Sequence, residues 1–389
     1  MKTRIALALF FLPFCGFALD FGIFIENEFF VESSLIQNNF NANPWFNVKF
    51  DKQNKLSFFL SFELFNKNKN SEHDFISSFG LTYFSYNPLP CFNILFGRLH
   101  YSDKALLIAD GVFDGFTGEL RTAPFKFTVS AFYTGLLQKE QTKIIMNRTD
   151  FEEYEDSKNY YTPKKIFVSA ETEIKDVFGY RNQININYIT LYDINRNDGF
   201  DSQYLLLSAG FPFFSDFSLF ISSATGFAKN AGQDMLHHAA KITLDYKPAF
   251  TLPDDVFSFC FLWSSGRGDG GSGAWTSISF FEQGEAFKAP FTNLAAACIF
   301  YKIKFLKLAN VDSAFRWFFR TSNELPITAD INTGNEMFIG QELAFNADFI
   351  LFSDFAFNSG FGIFIPQPIY GEALGFVLWK FKLTVKIQI

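Results

Sequence analysis

The segment Val377-Leu378-Trp379-Lys380-Phe381-Lys382-Leu383-Thr384-Val385-Lys386-Ile387-Gln388-Ile389 alternates without a break. Val377, Trp379, Phe381, Leu383, Val385, Ile387 and Ile389 form one set, and Lys380, Lys382, Thr384, Lys386 and Gln388 form the other. Successive side chains of a β-strand point to opposite faces, so this pattern predicts a strand with one apolar and one cationic face. Such a strand needs water on one side and hydrocarbon or a dry core on the other. The same period recurs from the start of the chain. Phe21, Ile23, Ile25, Phe29 and Val31 oppose Glu26 and Glu28; Leu56, Phe58, Leu60, Phe62 and Leu64 oppose Ser57, Ser61 and Glu63. Phe125, Phe127, Val129, Ala131 and Tyr133 alternate with Lys126, Thr128, Ser130 and Thr134.

The composition agrees with strands facing two media. The 389 residues include 58 Phe, 14 Tyr and 5 Trp, a fifth of the chain, spread evenly along it. Charged residues make up 19%, and so aromatic a chain is not disordered. Beyond the N-terminus no run of about 18 uncharged apolar residues occurs, which excludes a helical membrane bundle.

Met1-Lys2-Thr3-Arg4, the apolar run Ile5 to Phe17 and the small residues Gly16 and Ala18 read as a secretory signal cleaved after Ala18. Residues 1–18 are thus expected to be the signal peptide and 19–389 one domain. Loss of Lys2 and Arg4 leaves 31 basic and 40 acidic residues, a formal charge of −9, without the basic footprint of a nucleic-acid protein. Cys91, Cys260 and Cys298 remain; their spacing is neither a disulfide framework nor a zinc site, and Cys91 and Cys260 read as small buried hydrophobes.

Connection lengths separate a closed membrane barrel from a soluble sandwich, because outer-membrane barrels have short periplasmic turns and longer external loops. Long connections are expected at Glu32 to Pro44, Asn66 to Asp74, Tyr101 to Gly111, Leu137 to Pro163 and Tyr192 to Ser202, with a moderate one at Ala228 to Met235. Short turns fall between them, near Asp51 to Lys55, Asn87 to Pro90, Thr122 to Pro124, Asp176 to Tyr180 and Pro212 to Asp216, and Lys247 to Asp254 joins the next pair. Trp275 to Phe281 looks like a strand, yet the phase holds only if Ser264 to Asn293 is one external loop. Leu306 to Val311 and Leu351 to Ser353 then become periplasmic turns, while Ser322 to Asn335 and Pro366 to Ala373 become external loops. The result is an all-β, transmembrane antiparallel up-and-down barrel of about 18 strands, with 16 or 14 as the other even counts considered. A sandwich would alternate too, but it has no reason to keep long and short connections in phase.

Two local patterns carry a resemblance. One is Gly97-Arg98, the Ser102-Asp103 region, then Phe113-Asp114-Gly115 and Gly118-Glu119-Leu120. The other is Gly340-Gln341-Glu342-Leu343, the turn Phe352-Ser353-Asp354 and Gly360-Phe361-Gly362-Ile363-Phe364-Ile365-Pro366. Together they resemble the alginate-export-type family of outer-membrane porins, which implies a porin-like barrel and no particular solute. The end Lys386-Ile387-Gln388-Ile389 departs from the terminal aromatic of that family, and Leu99 stands where its Gln is expected.

With the aromatic parity turned to lipid, the opposite parity lines the lumen. The pore-lining set is Lys302, Lys304, Arg316, Arg320, Lys380, Lys382 and Lys386 as a basic arc, with Glu26 and Glu28 brought beside it when the first strand pairs with the last, and Arg98 at a strand end. Glu63, Glu171 and Glu173 are further inward carboxylates. Opposed charges across a narrow lumen set ion preference; the plainer alternative is a hydrated wall of salt bridges. The function expected is passive diffusion of small hydrophilic solutes, including anionic ones, through the bacterial outer membrane. The expected partners are outer-membrane lipid, the barrel-assembly machinery and those solutes. The alternatives are a surface adhesin or structural barrel whose external loops bind a host or matrix ligand, and a fatty-acid-type transporter of hydrophobic solutes.

No enzyme, cofactor, metal or nucleic-acid partner is expected. Ser264 to Gly273 contains Arg267-Gly268-Asp269 but lacks the Lys-Ser/Thr and the flanking strand and helix of a phosphate loop, so it reads as a flexible external loop. His237 and His238 should point to opposite faces and cannot readily share a metal. Ser222 and Ser223 are candidates for a rim hydrolase by proximity alone. The acidic, Tyr-rich stretch Thr149 to Tyr161 reads as solvated, with an inward constriction or a binding surface as alternatives.

Overall fold

A computed structural model describes residues 18–388 apart from 33–34, 51–52, 54, 70–71, 140–142, 157, 178–180, 195–199, 231–232, 249–254, 268–272, 306–308, 324–335, 353 and 369–376. The signal-peptide reading of residues 1–18 therefore lies almost wholly outside the described residues. Eighteen antiparallel strands form one closed sheet. They are β1 (Ala18–Glu32), β2 (Leu35–Lys49), β3 (Leu56–Lys69), β4 (Glu72–Leu89), β5 (Phe92–Ser102), β6 (Asp110–Thr122), β7 (Phe125–Tyr133), β8 (Lys165–Lys175) and β9 (Gln183–Asp193). The second half comprises β10 (Phe200–Phe213), β11 (Phe217–Asn230), β12 (Gln233–Tyr246), β13 (Val256–Ser264), β14 (Leu294–Phe305), β15 (Ala309–Arg320), β16 (Phe338–Phe352), β17 (Phe355–Pro366) and β18 (Leu378–Gln388). A helix, α1 (Arg148–Glu155), lies between β7 and β8.

Each strand pairs with its chain neighbours, and β1 closes the ring on β18 from Phe24–Gln388 to Glu32–Lys380. Closure matters energetically. In hydrocarbon every backbone N–H and C=O needs an internal partner, at several kcal/mol for each one left out, so an open edge cannot face lipid. The outward face carries the aromatic parity: Phe21, Phe29, Phe84, Phe96, Phe127, Phe259 and Trp379 are all exposed on the outer wall.

The strand count and the single Ser264–Asn293 connection agree with the sequence reading, and Trp275 to Phe281 is not a wall strand. Three connections differ. Glu32 to Pro44, Asn66 to Asp74 and Ala228 to Met235 are largely ladder, with β1 paired to β2 up to Glu32–Leu35, β3 to β4 up to Lys69–Glu72, and β11 to β12 up to Asn230–Gln233. Asn- and Lys-rich sequence marks where a strand leaves hydrocarbon, but a ladder satisfies its backbone equally well in water, so pairing runs on. Pro44, taken for loop, sits inside β2. It cannot donate a ladder hydrogen bond, and Asn43 and Pro44 are skipped in the pairing with β3 while the register continues from Ala42–Leu64 to Trp45–Ser61.

The wall also has a seam. The β4–β5 ladder stops at Thr82–Arg98, although β4 reaches Glu72 and β5 reaches Ser102. Gly97 makes the departure: its φ is +132°, and a Cβ there would lie 2.2 Å from the Thr82 carbonyl oxygen. Two β4 carbonyls above the break take partners from elsewhere, Phe79 from Arg98 Nη1 at 2.7 Å and Ser77 from the Tyr160 hydroxyl at 2.7 Å.

Candidate pore and constriction

The described parts of three connections pack against the inner face of the barrel. The first, residues 103–109, is an apolar run, Ala105-Leu106-Leu107-Ile108-Ala109, that would be poorly placed in water. Asp103 nucleates its bend: the buried carboxylate accepts backbone N–H bonds from Ala105, Leu107, Ile108 and Ala109 at 2.8 to 3.2 Å. Burial pushes the Asp103 carboxyl above the ordinary carboxylate range, and the four N–H donors pull it back down. Leu107 and Ile108 pack in one core with Leu99, Tyr101, Phe113, Phe132 and Phe167 on the inner faces of β5 to β8. Lys104 bonds Glu173 on β8, and Lys241 on β12 donates to the Ala105 carbonyl at 3.1 Å, so the loop is tied to two walls.

The second connection, residues 134–164, carries α1. Asn147 caps the helix through Asp150 N–H, and the Asp150 carboxylate returns to the Asn147 N–H. Asp150 then meets Lys165 Nζ at 2.6 Å, and Lys165 also meets Asp193 at 2.9 Å; all three charges are buried. The acidic stretch read as solvated thus spends Asp150 on anchoring the helix to β8 and β9, while Glu152, Glu153 and Glu155 stay exposed.

The third, residues 265–293, roots on β10 to β12. Trp275 is buried against His237 and Tyr204, with ring centroids 4.9 and 5.8 Å away, and the Tyr204 hydroxyl donates to the Thr276 carbonyl at 2.8 Å. His237 therefore serves as packing inside the wall, and its neighbour His238 bonds Thr225 instead; Ser222 bonds Ser208. In mid-loop the three connections are joined. Ile278 N–H donates to Ile108, Ile145 N–H to Ile278, Phe280 N–H to Lys143, and Asp110 N–H to the Ser279 hydroxyl. The tip is held by the opposite wall: the wholly buried Glu342 carboxylate of β16 accepts N–H bonds from Glu285, Ala286 and Phe287 at 2.8 to 3.1 Å, and Arg316 Nη1 donates to it at 2.7 Å. Phe287 stacks on Phe364 at 4.2 Å.

These contacts leave a cavity of about 290 Å³ between the joined loops and β18, lined by Asp110, Glu282, Glu285, Lys143, Lys288 and Lys380 together with Phe280 and Phe281. Carboxylates and ammonium groups are equal in number there. A second wall cavity, about 350 Å³, is lined by Asp245, Lys302, Asp312, Arg316 and Asn346 among others. Paired, oriented charges of both signs line these cavities, the kind of environment that can replace part of a polar solute's hydration shell.

The sequence-picked residues fall into four places. Lys380, Lys382 and Lys386 form an inward stripe with Glu26 and Glu28: Lys386 meets Glu26 at 3.2 Å, Lys382 pairs with Glu28, and Phe30 lies under Lys380 and Lys382. Lys302, Lys304 and Arg316 lie on β14 and β15, where Lys302 is 3.9 Å from Asp312 and Arg316 covers the Phe300 ring. Arg320 is buried at the external end of β15 and donates to the Glu336 carbonyl. Arg98 is at the seam, bonding Asp114, Phe79 and Leu136 across from the basic arc. Sequence reasoning missed Asp110 at the start of β6, and Lys143, Glu282, Glu285 and Lys288, which line the cavity because their loops turn inward. The available signal was apolar sequence in nominally external loops, at Ala105 to Ala109 and from Trp275 to Phe291.

No protein-family model matches the chain, and no curated protein is significantly similar to it. Solved structures are similar in fold. The outer membrane protein OpdK of Pseudomonas aeruginosa superposes with a TM-score of 0.64 at 11% identity, covering 96% of this chain and 99% of that one. OccK5 (OpdH) of the same organism gives 0.63 at 10% identity, covering 95% and 98%. Its OprD gives 0.60 at 12% identity, covering 95% of each chain.

Proposed function

We propose that this chain is a bacterial outer-membrane channel for passive diffusion of small hydrophilic solutes, with a mild preference for anions. The observation that carries it is the lumen itself: a closed barrel, apolar outside, whose inward loops build a charged cavity against Lys380 of β18. The structure neighbours, outer-membrane porins of the OprD and Occ type, support that reading at the level of fold. The β18–β1 stripe sets three lysines against two glutamates, and the cavity balances its signs, so the excess of positive charge is small. Export by a signal peptide cleaved after Ala18, insertion by the barrel-assembly machinery and kinship with alginate-export-type porins belong to the same proposal. The adhesin alternative is not favoured, because parts of three connections are spent on filling the barrel, and the neighbours do not favour a hydrophobic-solute transporter.

Planar-bilayer recording on refolded protein tests the proposal. Conductance steps with a modest anion preference are expected, and Lys380→Glu with Lys382→Glu should shift the reversal potential toward cations. Absence of steps, or a strong cation preference indifferent to those substitutions, overturns it.

A further inference from the structure

The wall register places Cys260 of β13 directly opposite Cys298 of β14. Opposed residues of an antiparallel pair share a face, with Cα atoms about 4.5 or 5.5 Å apart according to the type of pair. Both separations lie inside the roughly 4.4–6.8 Å that a disulfide bridges. The two side chains are buried on the inner face, since their neighbours Phe259, Phe261 and Ile299 are exposed on the outer one. Thr243 Oγ1 lies 3.6 Å from Cys260 Sγ, and Arg316 stands opposite Cys298 on its other side. Spacing along the chain hid this pair, because the long connection 265–293 lies between its members.

We infer that Cys260 and Cys298 form a cross-strand disulfide in the exported protein. The inference rests on the export reading, because disulfides form and persist in the oxidising envelope compartment. The oxidant is a disulfide-bearing thiol oxidase of that compartment. One cysteine thiolate attacks the oxidase disulfide and displaces one of its sulfurs. The other thiolate then attacks the mixed disulfide, so the Cys260–Cys298 bond forms, two protons leave the cysteines and the oxidase departs as a dithiol with both electrons. Exchange precedes closure of the sheet, since both sulfurs are buried afterwards. The bond ties together the two strands that flank the 265–293 connection, the segment carrying Glu282, Glu285 and Lys288. All three cysteines are unbridged in the structure; Cys91, half-buried at the β4–β5 turn, has no cysteine opposite it and is expected to stay a thiol.

The full chain with its leader is expressed, envelope fractions are separated, and the protein is denatured with iodoacetamide before any reductant. After proteolysis, mass spectrometry should find the Cys91 peptide alkylated and the Cys260 and Cys298 peptides joined, separating on reduction. In Cys298→Ser the Cys260 peptide should become alkylated without reduction. Alkylated Cys260 and Cys298 in wild-type protein from the outer-membrane fraction, or a bridge to Cys91, overturns the disulfide while leaving the export reading standing. Protein absent from the envelope fractions overturns both.

Discussion

Glu342 shows how one side chain positions a constriction. It is wholly buried, and its carboxylate holds three backbone N–H groups of the loop tip and the Arg316 guanidinium. Hydrogen bonds to a charged group are worth about 1.5–3 kcal/mol each, and breaking a buried ion pair costs roughly 3–5 kcal/mol. Glu342→Ala should therefore release the tip without opening the wall: the barrel still inserts, single-channel conductance rises, and current noise increases as residues 282–288 sample the lumen. Unchanged conductance and noise would mean that the Phe287–Phe364 stack suffices. Asp103 makes a prediction of opposite character. Its carboxyl is raised by burial in the folded loop, so the energetic cost of ionising it is absent below the ordinary carboxylate range, grows as pH climbs through it and is complete above the raised value. Loop 103–109 should thus be held more firmly as pH falls through that window. Hydrogen exchange at Ala105 to Ala109 should slow toward acid pH after correction for intrinsic rates, and Asp103→Asn should remove the dependence.

At the scale of elements, strands were far more legible than their ends. Period two reports the medium on each face, which is a local property, so β1, β3, β7 and β18 could be read from a dozen residues each. Strand ends depend on pairing, which polarity does not encode, hence the continued ladder where Asn-rich loops were expected. The inward loops were harder still, because whether an external connection turns in or out depends on a cavity made by strands remote in sequence. The lumen stripe of Lys382, Lys386, Glu26 and Glu28 followed from joining first strand to last, whereas Lys143 and Lys288 followed from nothing local. Arg98, picked for the lumen, lines a cavity with Glu63, Asp110 and Lys143 and also ties the seam. There it stands in for a missing ladder, filling the Phe79 carbonyl while paired to Asp114 at 2.9 Å. Arg98→Ala leaves a carbonyl and a carboxylate without that partner, at about 1–3 kcal/mol for each group on burial. Amides of β4 above Thr82 should exchange faster while those of β10 to β13 are unchanged; Arg98→Lys, with one point charge for three acceptors, should rescue only in part. Uniform acceleration around the barrel would instead mean that Arg98 supports global stability.

Over the whole molecule, the proposed selectivity rests on charges that two loops, the start of β6 and one wall strand bring together. Asp110, Glu282 and Glu285 face Lys143, Lys288 and Lys380 across one small cavity. The field is therefore transverse, with little net charge, and reversing two of the ammonium groups should matter more than any change elsewhere on the wall. Lys288→Glu with Lys380→Glu leaves five carboxylates and one ammonium group in the cavity. The reversal potential in a salt gradient should then move to the cation side. The shift should be largest at about 0.01 M salt, where the Debye length is roughly 30 Å, and should shrink toward 1 M, where it is about 3 Å. Lys302→Glu with Lys304→Glu, on the wall of β14, should shift it less. An equal shift from both pairs would place the selective barrier along the whole lumen, and the inward loops would then govern flux through the width they leave and not through their charge.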